Sequence, residues 1–143
     1  MESSKVYVNV MAEFTKDGRL LPRSFIWKDG QVYEIQRVTD VFEQRRDLIV
    51  RRINAMPGVS CLKPSGAFYV MMNLEQIIGK QIDGQVIGSG DDFAKLLLEK
   101  SLVAVVPGSG FGAPNFVRLS YAISTENIET GMDRLEAFLK QLQ

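Results

Sequence analysis

Histidine is absent from the chain of 143 residues, and cysteine occurs once, at Cys61. Without histidine there is no Ser–His or Cys–His relay and no His-ligated metal site within the chain. A single cysteine allows no internal disulfide, which suits a reducing compartment, so a cytoplasmic setting is the expectation. Cys61 follows Val59 and Ser60 in a strand-like run and reads as a buried structural thiol. An excess of charge is missing too: 17 Lys and Arg balance 17 Asp and Glu. Nucleic acid and membrane surfaces both select for a basic excess, so neither partner is expected. No apolar run is long enough to span a bilayer, and the start M-E-S-S-K lacks the apolar core of a secretion signal. A near-zero net charge gives little colloidal repulsion, so a homo-oligomer is a further expectation. What remains is a hydrophobic content of 45 %, enough for one domain, or one modest domain with a small appendage.

The first forty residues carry strand signals. Val6, Val8 and Val10 alternate with Tyr7, Asn9 and Met11. Lys16-Asp17-Gly18 marks a turn, Arg19 to Lys28 a second extended run, and Asp29-Gly30 a hairpin into Gln31–Val38. Pro22 predicts an edge position or a bulge. Phe25, Trp27 and Tyr33 form either a packing face or a binding surface of this antiparallel meander, with core the preferred reading. So small a meander is marginal alone and is expected to dock on something.

The period then changes. Phe42, Ile49, Ile53 and Met56 recur at helical spacing, with Arg45, Arg46, Arg51 and Arg52 opposite. The arginines read as a solvated helix face paired with Glu43 and Asp47. Pro57-Gly58 ends the helix. Val59–Leu62 is short and extended. Ala67–Leu74 is almost continuously apolar, which predicts a strand covered on both faces, with Met71 and Met72 as core fillers. Leu74–Ile78 suits a helical turn, and Gly79–Gly90, with Asp83-Gly84 inside it, a hairpin or loop. Asp91–Ser101 is a helix with Phe93, Leu96, Leu97 and Leu98 on its apolar face. Val103–Val106 and Phe116–Ala122 are strands around a Gly/Pro-rich loop at Pro107–Pro114. A last helix is capped by Ser124 or Thr125 and buries Ile128, Met132, Leu135, Phe138, Leu139 and Leu142. The fold class is α+β: a small mixed sheet with helices packed on one face, preceded by the meander.

Arg118 stands out in F-V-R-L-S-Y-A at 116–122. A lone arginine in an apolar strand either meets a fixed anion or bends out to water.

From about Val41 to the end, the chain resembles the C-terminal small domain of class I aminotransferases. These are the fold-type I enzymes that use pyridoxal phosphate, and the likeness is to bacterial aspartate-aminotransferase-type members. The residues that carry it are F-E-Q-R-R-D at the helix start, P-G-V-S-C-L-K-P-S-G-A-F-Y-V-M-M at 57–72, V-A-V-V-P-G-S-G-F-G at 103–112, and F-V-R-L-S-Y-A at 116–122. The resemblance implies that Arg118 binds the substrate's α-carboxylate, an assignment that suits a permanently charged, bidentate guanidinium. It also implies that Phe68 and the loop carrying Gly108, Ser109 and Gly110 lie near the substrate. Residues 1–40 resemble part of an unrelated small SH3-like β module, through the V-x-V-x-x-x-F-x-x-x-G pattern from Val8 to Gly18 and W-x-D-G at 27–30. Two domains, 1–40 and 41–143, are the expected organisation.

The same resemblance implies a Schiff-base lysine and an acidic partner for the cofactor ring, both in a large domain. No lysine here has that motif; Ser3-Ser4-Lys5 is a superficial echo. The glycine-rich G-S-G at 108–110 could cradle an anion, but it opens no helix in this reading, so it is a weak phosphate signal. The expectation is a chain that binds no cofactor, has no catalytic residue of its own, and does no transamination alone. It would take an amino-acid or dicarboxylate ligand at Arg118 and need a partner that supplies the large domain. A non-catalytic interaction or self-association module, and a recombined or designed chimera without selected activity, are the alternatives.

Overall fold

The computed structural model describes residues 8–14, 20–34 and 39–143. The chain divides into two compact units at Val41/Phe42, close to the expected boundary.

In the first unit β1 (Asn9–Phe14), β2 (Leu20–Ile26) and β3 (Val32–Glu34) form an antiparallel sheet in the order β1-β2-β3. The Asp29-Gly30 hairpin forms as expected. Gly30 takes φ 79°, which an L residue resists, and the Asp29 carboxylate accepts from the Gln31 N–H at 2.9 Å. The register slips by one residue between Met11 and Ala12, opposite Ser24 and Pro22. That bulge lets proline sit in the central strand. The Lys16-Asp17-Gly18 turn lies outside the described residues. The aromatic trio is not a core: Tyr33 stacks on Phe25 at 5.4 Å, yet Trp27 and Tyr33 are 43 % and 40 % exposed.

The second unit begins in α1 (Thr39–Ala55) and continues through β4 (Ser60–Cys61), β5 (Tyr69–Asn73), the hairpin β6 (Gln81–Ile82) and β7 (Gln85–Val86), and α2 (Gly90–Ser101). It ends with β8 (Val106–Pro107), β9 (Phe116–Ser120) and α3 (Thr125–Leu139). The four-stranded sheet runs β4-β5-β9-β8. The class is α+β with helices on one face, as expected, but every pairing in this sheet is antiparallel rather than mixed.

Alternation decides what the helices cover. Val70 and Met72 of β5, and Val117 and Leu119 of β9, are buried against Ile49 and Ile53 of α1, Phe93 and Leu97 of α2, and Ile128, Leu135 and Phe138 of α3. Ser89 caps α2, accepting from the Asp92 N–H at 3.2 Å, and Ser124 caps α3, accepting from the Asn127 N–H at 3.2 Å. Leu102, in the left-handed region, ends α2. Leu98 turns outward, 49 % exposed, and Ala94 takes its place in the core. The predicted Val103–Val106 strand shrinks to Val106–Pro107, because only there does the chain pair with β9.

The α1 arginines are less solvated than expected: Arg51 is exposed, Arg45, Arg46 and Arg52 are half-buried, and Arg45 lies over the Phe42 ring. Arg52 pairs with Asp133 of α3 at 2.6 Å, and Lys63 and Arg46 share Asp47. Their charges and hydrogen bonds hold the exposed Asp47 carboxyl below its ordinary range.

The strongest correction concerns Ala67–Leu74. Continuous apolarity predicted cover on both faces, but the described helices cover one. Tyr69, Met71 and Asn73 lie on the open face, so Met71, unlike Met72, is not a core filler.

Phe138 is fully buried and meets Phe93 edge to face at 5.6 Å. Phe138→Ala is expected to cost about 3–5 kcal/mol, measured as a lower denaturant midpoint. A loss under 1 kcal/mol would show that the three helices do not share one core.

Candidate functional site

The open face of the sheet holds the candidate site. In β9, Val117 and Leu119 point into the core, so Phe116, Arg118 and Ser120 point away from it. The register sets Arg118 opposite Met71 of β5 on one side and Val106 of β8 on the other. The guanidinium carbon lies 5.2 Å from the Tyr69 ring centre and 4.9 Å from that of Phe111. These are cation–π distances. Among the described residues, no carboxylate comes within 4.0 Å of it. The two outcomes expected for a lone strand arginine, a fixed anion or open water, are therefore joined by a third: a half-buried cation held against two rings.

The backbone around those rings is tied down. Phe68 O accepts from the Tyr121 N–H at 2.9 Å and from the Ser120 hydroxyl at 3.3 Å. The Tyr121 hydroxyl donates to Ala67 O. Burial pushes the Tyr121 phenol above its ordinary range, so it stays a donor. Three bonds thus fasten the entry of β5 to the end of β9.

The glycine-rich loop is fastened as tightly. Gly108 N–H donates to Phe116 O at 2.8 Å, and Gly108 O accepts from Phe111 and Ala113, each at 2.9 Å. Ser109–Phe111 is a 3-10 turn, where the sequence suggested no helix, and Gly112 closes it at φ 75°. The amides of Phe111, Gly112 and Ala113 are spent inside the loop, and the Ser109 hydroxyl donates to Asp91 at 3.0 Å. The loop is a platform for Phe111 and leaves few donors for an anion. Gly108 is buried, whereas Ser109 and Gly110 are exposed beside the platform.

Phe68 is 59 % exposed, and its ring lies edge-on to Phe42 at 5.0 Å. The neighbour, Tyr69, is the ring that meets Arg118. Sequence reasoning missed Tyr69, and it placed the Pro107–Gly112 loop near the substrate without singling out Phe111. Tyr69 sits inside the G-A-F-Y motif, where an alternation count outward from Met72 finds it on the outer face.

Beside Tyr69 a groove of about 580 Å³ runs along the sheet, lined mainly by apolar atoms of Cys61, Pro64, Met71 and Phe116 with Ser60 and Asn73. Cys61 is half-buried rather than buried, and its backbone exchanges hydrogen bonds with the Asn54 side chain at 2.8 and 3.1 Å. Burial pushes its thiol pKa up.

Comparison with known proteins matches this architecture. The family model for aminotransferase class I and II matches residues 25–135, reaching back beyond residue 41. The chain is 41 % identical over 111 residues to an aspartate aminotransferase of Geobacillus stearothermophilus, covering 78 % of this chain and 27 % of that protein. It is 47 % identical over 100 residues to a probable aspartate/prephenate aminotransferase of Rhizobium leguminosarum bv. phaseoli, covering 68 % and 25 %. The crystal structure of the Rhizobium meliloti aspartate aminotransferase superposes with a TM-score of 0.72 at 40 % identity, over 73 % of this chain and 26 % of that one. The chain thus spans about a quarter of the length of the curated relatives it matches.

Pyridoxal phosphate, the cofactor of the resembled enzymes, does not fit the residues described. Lys28, Lys63, Lys80, Lys95, Lys100 and Lys140 all lie exposed, and Lys63, Lys100 and Lys140 are engaged by Asp47, Asp83 and Glu136. Lys5 and Lys16 lie outside the described residues.

Two outcomes are expected. A Cβ on Gly108 would sit 2.2 Å from Ala113 O, so Gly108→Ala should cost about 1–3 kcal/mol in chemical denaturation. Wild-type stability would show that the loop yields freely. Native Cys61 should alkylate slowly at pH 8 and faster once unfolded, because the folded thiol keeps its proton. Its folded pKa is raised, so stability should fall as pH climbs above the unfolded thiol's value of about 8.5. Equal alkylation rates in both states would contradict this.

Proposed function

The chain belongs to the class I and II aminotransferase family, and we propose that it supplies the carboxylate grip of such an enzyme's substrate site. Arg118 is the grip. The observation that carries this reading is a permanently charged side chain on the open face of its sheet, with no carboxylate partner among the described residues. A guanidinium there presents parallel N–H donors that match a planar carboxylate bidentately. The strand fixes the position from which it would orient an amino acid for reaction elsewhere.

The names of the relatives, aspartate and aspartate/prephenate aminotransferases, support a substrate of the aspartate type or its dicarboxylate counterpart. Amino-group transfer needs a Schiff-base lysine, and the described lysines are exposed surface residues. On this reading these residues bind and orient, and a large domain supplies the chemistry. On this reading Phe68, Gly108, Ser109 and Gly110 belong to the surroundings of the substrate, and Arg118 makes the direct contact.

Succinate titration of the full chain, followed by NMR at the backbone amide signals of β9, tests the grip. Arg118→Ala should weaken succinate about 10–100-fold, the worth of a hydrogen bond to a charged group. Arg118→Lys should recover only part, since an ammonium lacks the planar fork. Equal affinity in wild type and Arg118→Ala would overturn the assignment.

A further inference from the structure

We propose that Tyr69 and Phe111 are positioning residues that make the Arg118 site selective for planar anions over tetrahedral ones. The inference rests on the carboxylate reading above and adds a specificity device to it. A guanidinium is flat, and all five of its N–H donors point outward in its plane. Whatever lies over its faces therefore decides which anions can reach its edge.

The two rings come from either flank. β9 runs between β5 and β8, Tyr69 belongs to β5, and Phe111 belongs to the loop that follows β8. The guanidinium carbon lies 5.2 Å from one ring centre and 4.9 Å from the other. A carboxylate can enter in the guanidinium plane and meet two donors edge to edge. A sulfonate or phosphate engaging the same two donors must carry oxygen out of that plane, toward a ring that offers it no hydrogen bond.

Neither ring serves the core. Phe111 is 57 % exposed and Tyr69 44 % exposed, and both lie on the face opposite the buried helices. Both rings meet the same cation. Their backbones are also the most restrained on this face. Phe111 rides on the 3-10 turn, which Gly108 ties to β9 and Ser109 ties to Asp91. Tyr69 follows the Ala67–Phe68 pair, whose carbonyls Ser120 and Tyr121 hold. A ring on a tied backbone can fix the plane of a long, flexible side chain.

The test compares acetate with methanesulfonate, two anions of equal charge and different shape, titrated into the full chain with the Arg118 Nε–Hε signal as readout. Wild type is expected to favour acetate, and Tyr69→Leu/Phe111→Leu to reduce that preference about fivefold, the equivalent of one exposed cation–π contact. Phe111→Tyr, which keeps the ring, should retain the preference. Without any anion, the same signal should exchange slowly with solvent in wild type and faster in the double variant. That arm reads the clamp whether or not an anion binds, and Phe111→Leu alone supplies it if the double variant fails to fold. Unchanged preference and unchanged exchange in the variants overturn the clamp while leaving the carboxylate grip standing. An Arg118 signal that responds to neither anion in wild type overturns the grip, and the selectivity with it.

Discussion

The pleat of β9 governs this molecule. Val117 and Leu119 are drawn under the helices by the apolar surface they bury, and alternation then turns Arg118 to the opposite face. A guanidinium cannot follow them inward without losing its hydration for no partner. A slip of one residue in the β5–β9 register would send the charge into the core and expose both apolar residues. The core therefore specifies the position of the arginine as firmly as any direct contact does.

What surrounds Arg118 depends on the same pairing. Tyr69 reaches it because β5 lies beside β9, and Phe111 because the loop after β8 is bonded across to Phe116. Gly108 permits that close crossing, since any side chain would meet the carbonyl of Ala113. The result is an arginine with an ordered setting on an uncovered sheet face, next to an apolar groove. The matched part of the chain corresponds to about a quarter of the length of its relatives.

Much of this was legible in the residue order. The stripes Ile49, Ile53, Met56 and Ile128, Met132, Leu135, Phe138 announced helices because their spacing matches the helical turn and Ser124 caps the second. Arg118 was legible as an oddity from its strand alone, and the motif around it suggested the carboxylate role proposed for it. The open face was hidden by chemistry: Tyr69 and Met71 are apolar, so β5 read as a strand buried on both sides. Phe111 was hidden by topology, since its partner is set by strand register and not by local sequence. The aromatic trio of the first unit read as core because periodicity reports which residues share a face, not whether anything covers it. The α3 partner of Arg52 and the second cation on Asp47, Lys63, were out of reach for the same reason as Phe111.

The most direct measurement of the central claim is a crystal structure of the full chain grown with succinate. The account requires one carboxylate in the plane of the Arg118 guanidinium, both oxygens within hydrogen-bonding distance, with Tyr69 and Phe111 against the guanidinium faces. Arg118 turned away and paired with a carboxylate of its own chain, with succinate absent from this face, would contradict it.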